Sequence, residues 1–171
     1  MSALAPIVAS VAIGAASAVS DLATRRIPNV LTLGGIALGV AMHGAMGLVD
    51  GPLAALRGAA VALLGALLCG ILPGIGFWRG EMGGGDVKLF AAIGALLGPA
   101  RGFDAQAITF VVVLAVLWPW RIATSGAAKR WLASLVRRGE PRVDVPVARV
   151  VLGPAIFFGL CGSILRHGLL P

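Results

Sequence analysis

The sequence predicts an all-α integral membrane protein, a polytopic bundle of about six transmembrane helices in a single domain over residues 1–171. Hydrophobic residues make up 58% of the chain and charged residues only 12%, about half of the roughly 25% that soluble domains carry. The mean hydropathy is +0.97. A soluble domain of this length cannot bury so much apolar surface, so we expect the chain to lie in a bilayer as helices.

Charge-free runs mark the predicted helices. Three of these runs contain 20 to 23 residues, enough for a helix to cross about 30 Å of hydrocarbon. Three shorter runs of 12 to 16 residues cross only as tightly packed helices whose basic ends reach the interface. The predicted helices cover about 3–20, 29–48, 53–74, 86–100, 105–121 and 147–165. The first is expected to be a retained span rather than a secretory signal, because no Lys or Arg precedes it.

Turn residues and glycines mark the predicted breaks between these helices and their predicted close contacts. Asn29 is the predicted N-cap of the second helix. The other predicted breaks are Asp50-Gly51-Pro52, Pro73-Gly74, the glycines 83–85 and Gly98-Pro99. Small residues inside membrane helices let two backbones approach closely. Tight packing is therefore expected at Gly34, Gly35, Gly65, Gly70, Gly94 and Gly98.

The basic residues predict the orientation in the membrane. Eleven of the 14 Lys and Arg residues lie on or near the first, third and fifth loops, and three lie on the other side. Because basic loops stay in the cytoplasm, we expect these loops inside and both termini outside. The long basic loop 122–146 is predicted to contact the lipid surface. The net charge of +7 therefore indicates topology, and no nucleic-acid partner is expected, since no basic stretch is interleaved with aromatic residues.

Neither the cysteines nor the histidines indicate a metal site or a cofactor. Cys69 and Cys161 stand far apart in apolar runs and form no CxxC pair, so we interpret both as packing residues. His43 and His167 have no second His or acid at ligand spacing and are interpreted as structural. The sequence thus predicts a protein that works without metal or cofactor.

Acidic residues are scarce, and an acid within a membrane segment is a candidate functional group. Five of the seven acids are predicted in loops: Asp50, Glu81, Asp104, Glu140 and Asp144. Asp21 and Asp86 remain, both at the cytoplasmic ends of helices and at similar depth.

Two neighbouring carboxyl groups suit acid–base hydrolysis. Like charges resist double ionisation, so the pair holds one proton; the ionised member accepts a proton from water and the other donates one to a peptide carbonyl. Glycines 83–85 would let a substrate backbone approach and would accept positive φ. A helix N-terminus next to Asp86 favours Asp86 as the base and Asp21 as the acid. Ser17, one turn before Asp21, is a candidate hydrogen-bond partner of that carboxyl.

A simpler interpretation is that both acids form interfacial ion pairs. Asp21 would then pair with Arg25 four residues on, and Asp86 with Lys88 or a loop arginine. Under this interpretation the protein is a small non-enzymatic transporter or an assembly subunit, and the acids couple protons or bind arginines.

Two motifs favour the enzymatic interpretation. The string Gly83-Gly84-Gly85-Asp86-Val87-Lys88-Leu89 resembles the GxGD motif of the type IV prepilin peptidases. The segment 21–29, Asp-Leu-Ala-Thr-Arg-Arg-Ile-Pro-Asn, resembles the other signature of that family. Both occur in the family's order, each beside a predicted span.

The resemblance implies a six-helix aspartic endopeptidase of the bacterial inner membrane. Its cytoplasmic site would remove the short basic leader from type IV pilin-like precursors, with prepilins or pseudopilins as substrates. Carried over to this sequence, Asp21 and Asp86 would be catalytic, while Gly83, Gly84, Gly85 and Lys88 would form the motif that approaches the substrate.

Departures from the general family pattern indicate which kind of family member this sequence resembles. Large family members carry a cytoplasmic segment with paired CxxC ligands and methylate the new N-terminus, and this sequence has no such segment. The compact form is similar to the peptidases of tight-adherence (Flp-type) pilus systems. The presenilin-like proteases share GxGD but pair it with a Tyr-Asp motif, and this chain contains no Tyr.

Overall fold

The computed structural model describes residues 4–117, 119 and 152–167, and this part of the chain is all-α. Five helices follow one another: α1 (Leu4–Thr24), α2 (Asn29–Gly47), α3 (Pro52–Trp78), α4 (Gly84–Val112) and α5 (Gly153–His167). A 3-10 turn at Leu48–Asp50 follows α2, and a π-helical turn at Val113–Leu117 follows α4. The predicted basic loop 122–146, with Glu140 and Asp144, lies outside the described residues.

Helix α4 folds back on itself at Gly98. The backbone there has φ 78° and ψ 173°, a conformation that glycine adopts without steric cost. The rings of Phe90 and Phe110 stack at 5.8 Å, whereas 20 residues of straight helix would separate them by about 30 Å. We call residues 84–97 the first arm of α4 and residues 99–112 its second arm. The arms form an antiparallel hairpin, so the described residues contain six long helical segments.

The hairpin corrects the predicted position of one acid. The sequence places a loop between 100 and 105, but the turn needs only Gly98 and Pro99, and the helix has already resumed at Asp104. The prediction that Asp104 lies in a loop is therefore wrong. Its carboxylate is satisfied at the end of α5, where Arg166 lies at 3.7 Å and His167 is in hydrogen-bond contact.

Two other acids lie where the sequence predicts them. Asp50 is exposed in the 3-10 turn between α2 and α3. Glu81 lies between α3 and α4 and pairs with Arg79 at 3.3 Å, with both side chains exposed. Both acids are solvated loop residues, as expected.

Several helix ends differ from the predicted ones. Helix α1 continues to Thr24, so Asp21 is inside the helix rather than beyond it. Helix α3 passes through Pro73 and ends at Trp78, because one lost hydrogen bond does not outweigh the cost of open backbone in an apolar helix. Pro28, not Asn29, is the N-cap of α2, without a side-chain cap bond.

Glycines allow the helices to pack at backbone distance. A Cβ atom added at Gly65 would lie 2.1 Å from the carbonyl oxygen of Gly94, and one added at Gly94 would lie 2.3 Å from that of Gly65. The predicted close packing is thus confirmed at these two glycines, and also at Gly35. It is wrong at Gly34, which has no neighbour within 4 Å, and Gly70 makes an ordinary contact.

The core lies around α4 rather than around the most apolar helices. Its central cluster comprises Leu89, Phe90, Ile93, Ala105, Ile156 and Leu160, which belong to the two arms of α4 and to α5. Helices α1, α2 and α3 instead carry many exposed large apolar side chains, among them Val30 and Trp78. In the described residues these three, with α2 extended to Asp50, are long and apolar enough to cross a membrane. Because these helices expose an apolar outer surface, the protein is an integral membrane protein.

Successive helical segments alternate in direction. One end of the bundle, which we call the aspartate end, holds Asp21, the start of α4 and the start of α5. The opposite end holds Asp50, the Gly98 turn and the end of α5. Asp21 and Asp86, which are far apart in sequence, therefore lie at the same end of the bundle.

Candidate active site

Asp21 belongs to the buried stripe of α1. Ser10, Gly14, Ser17 and Asp21 recur at helical spacing and are all buried. The Asp21 residue is only 7% exposed. A carboxyl group is costly to bury without partners, so its position marks a specialised site rather than a surface acid.

Asp86 occupies the first turn of α4. Its backbone amide donates a 3.1 Å hydrogen bond to the carbonyl of Gly83, which precedes the helix. The residue is 9% exposed. Its carboxyl group turns back towards the start of the helix, where a Cβ at Gly83 would lie 2.9 Å from Oδ2.

The fold places these two carboxyl groups at the same end of the bundle. Helices α1 and α4, which carry them, pack against each other. Neither Asp21 nor Asp86 forms a salt bridge with a described residue. The acids in the salt bridges between described residues are Glu81 and Asp104.

The ion pairs of the simpler interpretation do not form among the described residues. Arg25 meets Asp21 through its backbone amide, which donates to the Asp21 carbonyl at 2.9 Å. Lys88 turns instead to Asn29, where its Nζ donates to Oδ1 at 2.9 Å. Neither Arg25 nor Lys88 therefore forms the ion pair that the simpler interpretation predicts, so that interpretation is wrong for these two residues.

The glycine triplet does not have the predicted backbone conformation. None of glycines 83–85 has a positive φ, so that expectation is wrong. Two of the glycines leave space for neighbouring side chains: a Cβ at Gly84 would lie 3.3 Å from Phe77, and one at Gly85 would lie 3.2 Å from Ile27. A side chain at either position would require that neighbour to shift.

The two sequence motifs lie directly against one another. Ile27 contacts Gly85, and Asn29 accepts the hydrogen bond from Lys88. Between them, Pro28 starts α2. The segment 27–29 thus joins the loop after Asp21 to the first turn of α4.

A residue that the sequence analysis missed completes the site. The backbone amide of Gly153 donates a buried 2.8 Å hydrogen bond to Oδ2 of Asp21. Gly153 is the first residue of α5, whereas the sequence places that helix start near 147. A Gly-Pro step at 153–154 is a signal for a helix start, but it does not reveal which distant group the helix contacts.

Other candidates take structural roles. The Ser17 hydroxyl has no hydrogen-bond partner in the described residues, so its predicted bond to Asp21 is wrong. His43 Nε2 lies 3.0 Å from the Leu96 carbonyl oxygen, and Cys69 is buried, in agreement with packing roles. No group of His, Cys, Asp or Glu in residues 4–117, 119 and 152–167 could hold a metal ion.

Comparison with known proteins identifies the class. The model of the type IV leader peptidase family matches residues 8–119. This range covers more than half of the chain and includes both aspartates and the glycine triplet. The chain belongs to the type IV leader peptidase family, which confirms the resemblance and makes the protein a peptidase. Neither the curated proteins nor the solved structures contain a match.

Proposed function

We propose that this protein is a membrane aspartic endopeptidase that removes the short basic leader from type IV pilin-like precursors. The observation that carries the proposal is the burial of two carboxyl groups, Asp21 and Asp86, at one end of the bundle with no basic partner among the described residues. Membership in the leader peptidase family supports the substrate class.

Hydrolysis then uses one proton shared by the two aspartates. The ionised carboxylate removes a proton from water, and the resulting hydroxide attacks the scissile carbonyl carbon. The protonated carboxyl donates to the carbonyl oxygen, giving a neutral tetrahedral diol. In the second step the aspartate that had donated its proton takes one back from a hydroxyl of the diol, the carbonyl re-forms and the C–N bond breaks. The amine leaves with a proton from the aspartate that had accepted one from water.

The identity of the base is not decided by helix dipoles. Asp86 lies in the first turn of a helix, which favours it as the base, but Asp21 contacts the first amide of α5. Both carboxyl groups therefore lie at the positive end of a helix. The proposal assigns the two roles to the pair without dividing them.

The proposed topology places the site at the cytoplasmic face of the inner membrane. It has six spans, formed by α1, α2, α3, the two arms of α4 and α5, with both termini outside. The bias of eleven basic residues against three supports this orientation. The short loop between α1 and α2, which carries no paired CxxC ligands, supports a dedicated prepilin peptidase of the Flp type.

The direct test follows leader removal from a co-expressed prepilin on a gel. We expect Asp21→Asn and Asp86→Asn each to reduce the rate by about 10²–10⁴, because each keeps its size and loses its titrating group. Asp50→Asn, at an exposed turn, is the matched control and should process normally. Undiminished cleavage by both active-site variants would contradict the proposal and favour a non-enzymatic role for the acids.

A further inference from the structure

The start of α5 provides a contact that the mechanism above does not use. The first amide of a helix has no partner within the helix, and here the Gly153 N–H is satisfied by Oδ2 of Asp21 at 2.8 Å. The two residues are 132 positions apart. Gly153 also lies outside the segment 8–119 that matches the family.

The contact leaves no room for a side chain. A Cβ at Gly153 would lie 2.8 Å from both Cβ and Oδ2 of Asp21, and 3.2 Å from Cγ. Farther along the same pair of helices, a Cβ at Gly14 would lie 3.0 Å from Leu160. Helices α1 and α5 are therefore held close together along this face, and Asp21 has little freedom to move aside.

We propose that Gly153 is a positioning residue for the peptidase reaction, and that the N-terminus of α5 fixes the Asp21 carboxyl by this hydrogen bond. With Oδ2 held by the amide, Oδ1 is the oxygen that acts on water. The inference rests on the proposed function. It also means that α5 completes the active site although it lies beyond the matched segment.

The first variant is Gly153→Ala. The added methyl group displaces the Asp21 carboxyl, and misplacement of a catalytic group by about 1 Å costs up to about 10² in rate. We expect kcat for leader removal to fall by at least about tenfold with KM unchanged, since Asp21 acts on water rather than holding the leader. Gly162→Ala is the matched control on α5: its Cβ would meet only the Ile108 side chain, at 3.1 Å, and kcat should be preserved.

A second variant removes the hydrogen bond without adding an atom. Glycolic acid incorporated at position 153 replaces the amide N–H by an ester oxygen, so no methyl group enters the site. We expect kcat to fall again by about tenfold, with the unfolding midpoint in detergent close to that of the unmodified protein. This variant tests the inference even where Gly153→Ala does not fold.

The outcomes separate the two proposals. A wild-type kcat in the ester variant, with Asp21→Asn inactive, overturns the positioning role and leaves the peptidase proposal intact. Equal losses of kcat in Gly153→Ala and Gly162→Ala, with a normal ester variant, also overturn it. Cleavage by Asp21→Asn at the wild-type rate instead overturns the peptidase proposal.

Discussion

Lys88 and Asn29 show how a single side-chain pair joins two motifs. They are 59 positions apart, and the 2.9 Å hydrogen bond between them is exposed. Lys88 follows Asp86 by two residues, so its side chain leaves α4 on a different face from the carboxyl. Its hydrogen bond therefore links the start of α2 to the start of α4. The sequence identifies both residues as motif positions, but spacing alone does not pair them.

A double-mutant cycle tests this pair. Lys88→Met and Asn29→Ala should each slow leader removal, and the double variant should be little worse than either, because both remove the same bond. We expect a coupling energy of about 0.5–1.5 kcal/mol from the rates. Lys88→Met combined with Arg57→Met, whose arginine lies on α3, is the control cycle and should be additive. Additive rates for Lys88 and Asn29 would contradict the pairing.

At the scale of elements, glycine decides which helices touch. Gly65 on α3 and Gly94 on the first arm of α4 meet backbone to backbone. A Cβ atom added at Gly74, on the same helix α3, would have no neighbour within 4 Å. The sequence does not distinguish Gly65 from Gly74, because a glycine in a helix does not indicate which face of that helix packs against a neighbour.

Alanine substitutions at these two positions of α3 should change stability in opposite directions. Gly65→Ala places a methyl group 2.1 Å from a carbonyl oxygen and should destabilise the protein by about 1–3 kcal/mol. Gly74→Ala meets no atom and should stabilise it by about 0.5–1 kcal/mol, since alanine is the better helix former. The measurement is the free energy of unfolding in detergent micelles. Equal effects at the two sites would show that α3 and α4 do not pack as described.

At the scale of the whole molecule, the hairpin at Gly98 decides which ends meet. Because the chain reverses there, the second arm of α4 returns to the aspartate end, which is also the end where α5 begins and contacts Asp21. A straight α4 would instead leave its last residue, Val112, beyond the opposite end of the bundle. The proposed six-span topology depends on this reversal.

Cysteine labelling tests the topology. Val49→Cys lies at the end opposite the aspartates and should react with an impermeant maleimide in intact cells, since Val49 is 84% exposed. Trp78→Cys, at the aspartate end and 88% exposed, should react only after the membrane is opened. The unaltered chain, with Cys69 buried and Cys161 partly buried, is the labelling control. Labelling of both positions from the same side would contradict the proposal that α3 crosses the membrane between them.

The sequence by itself determined the class of the protein. Apolar composition, charge-free runs and two motifs are local properties of the chain, so they indicate the all-α membrane fold, the family and the pair Asp21 and Asp86. Turn chemistry located the Gly98-Pro99 break but not its sharpness, which is why the predicted position of Asp104 is wrong.

Only the tertiary structure decided how the site is assembled. The Gly153 amide on Asp21, the Lys88–Asn29 bond and the space requirement of glycines 83–85 each join elements distant in sequence. Periodicity describes which face of a helix is apolar, but it contains no information about which group of another helix that face meets. The contacts that orient the buried Asp21 carboxyl group arise where two helices pack together, so they exist only in the folded structure.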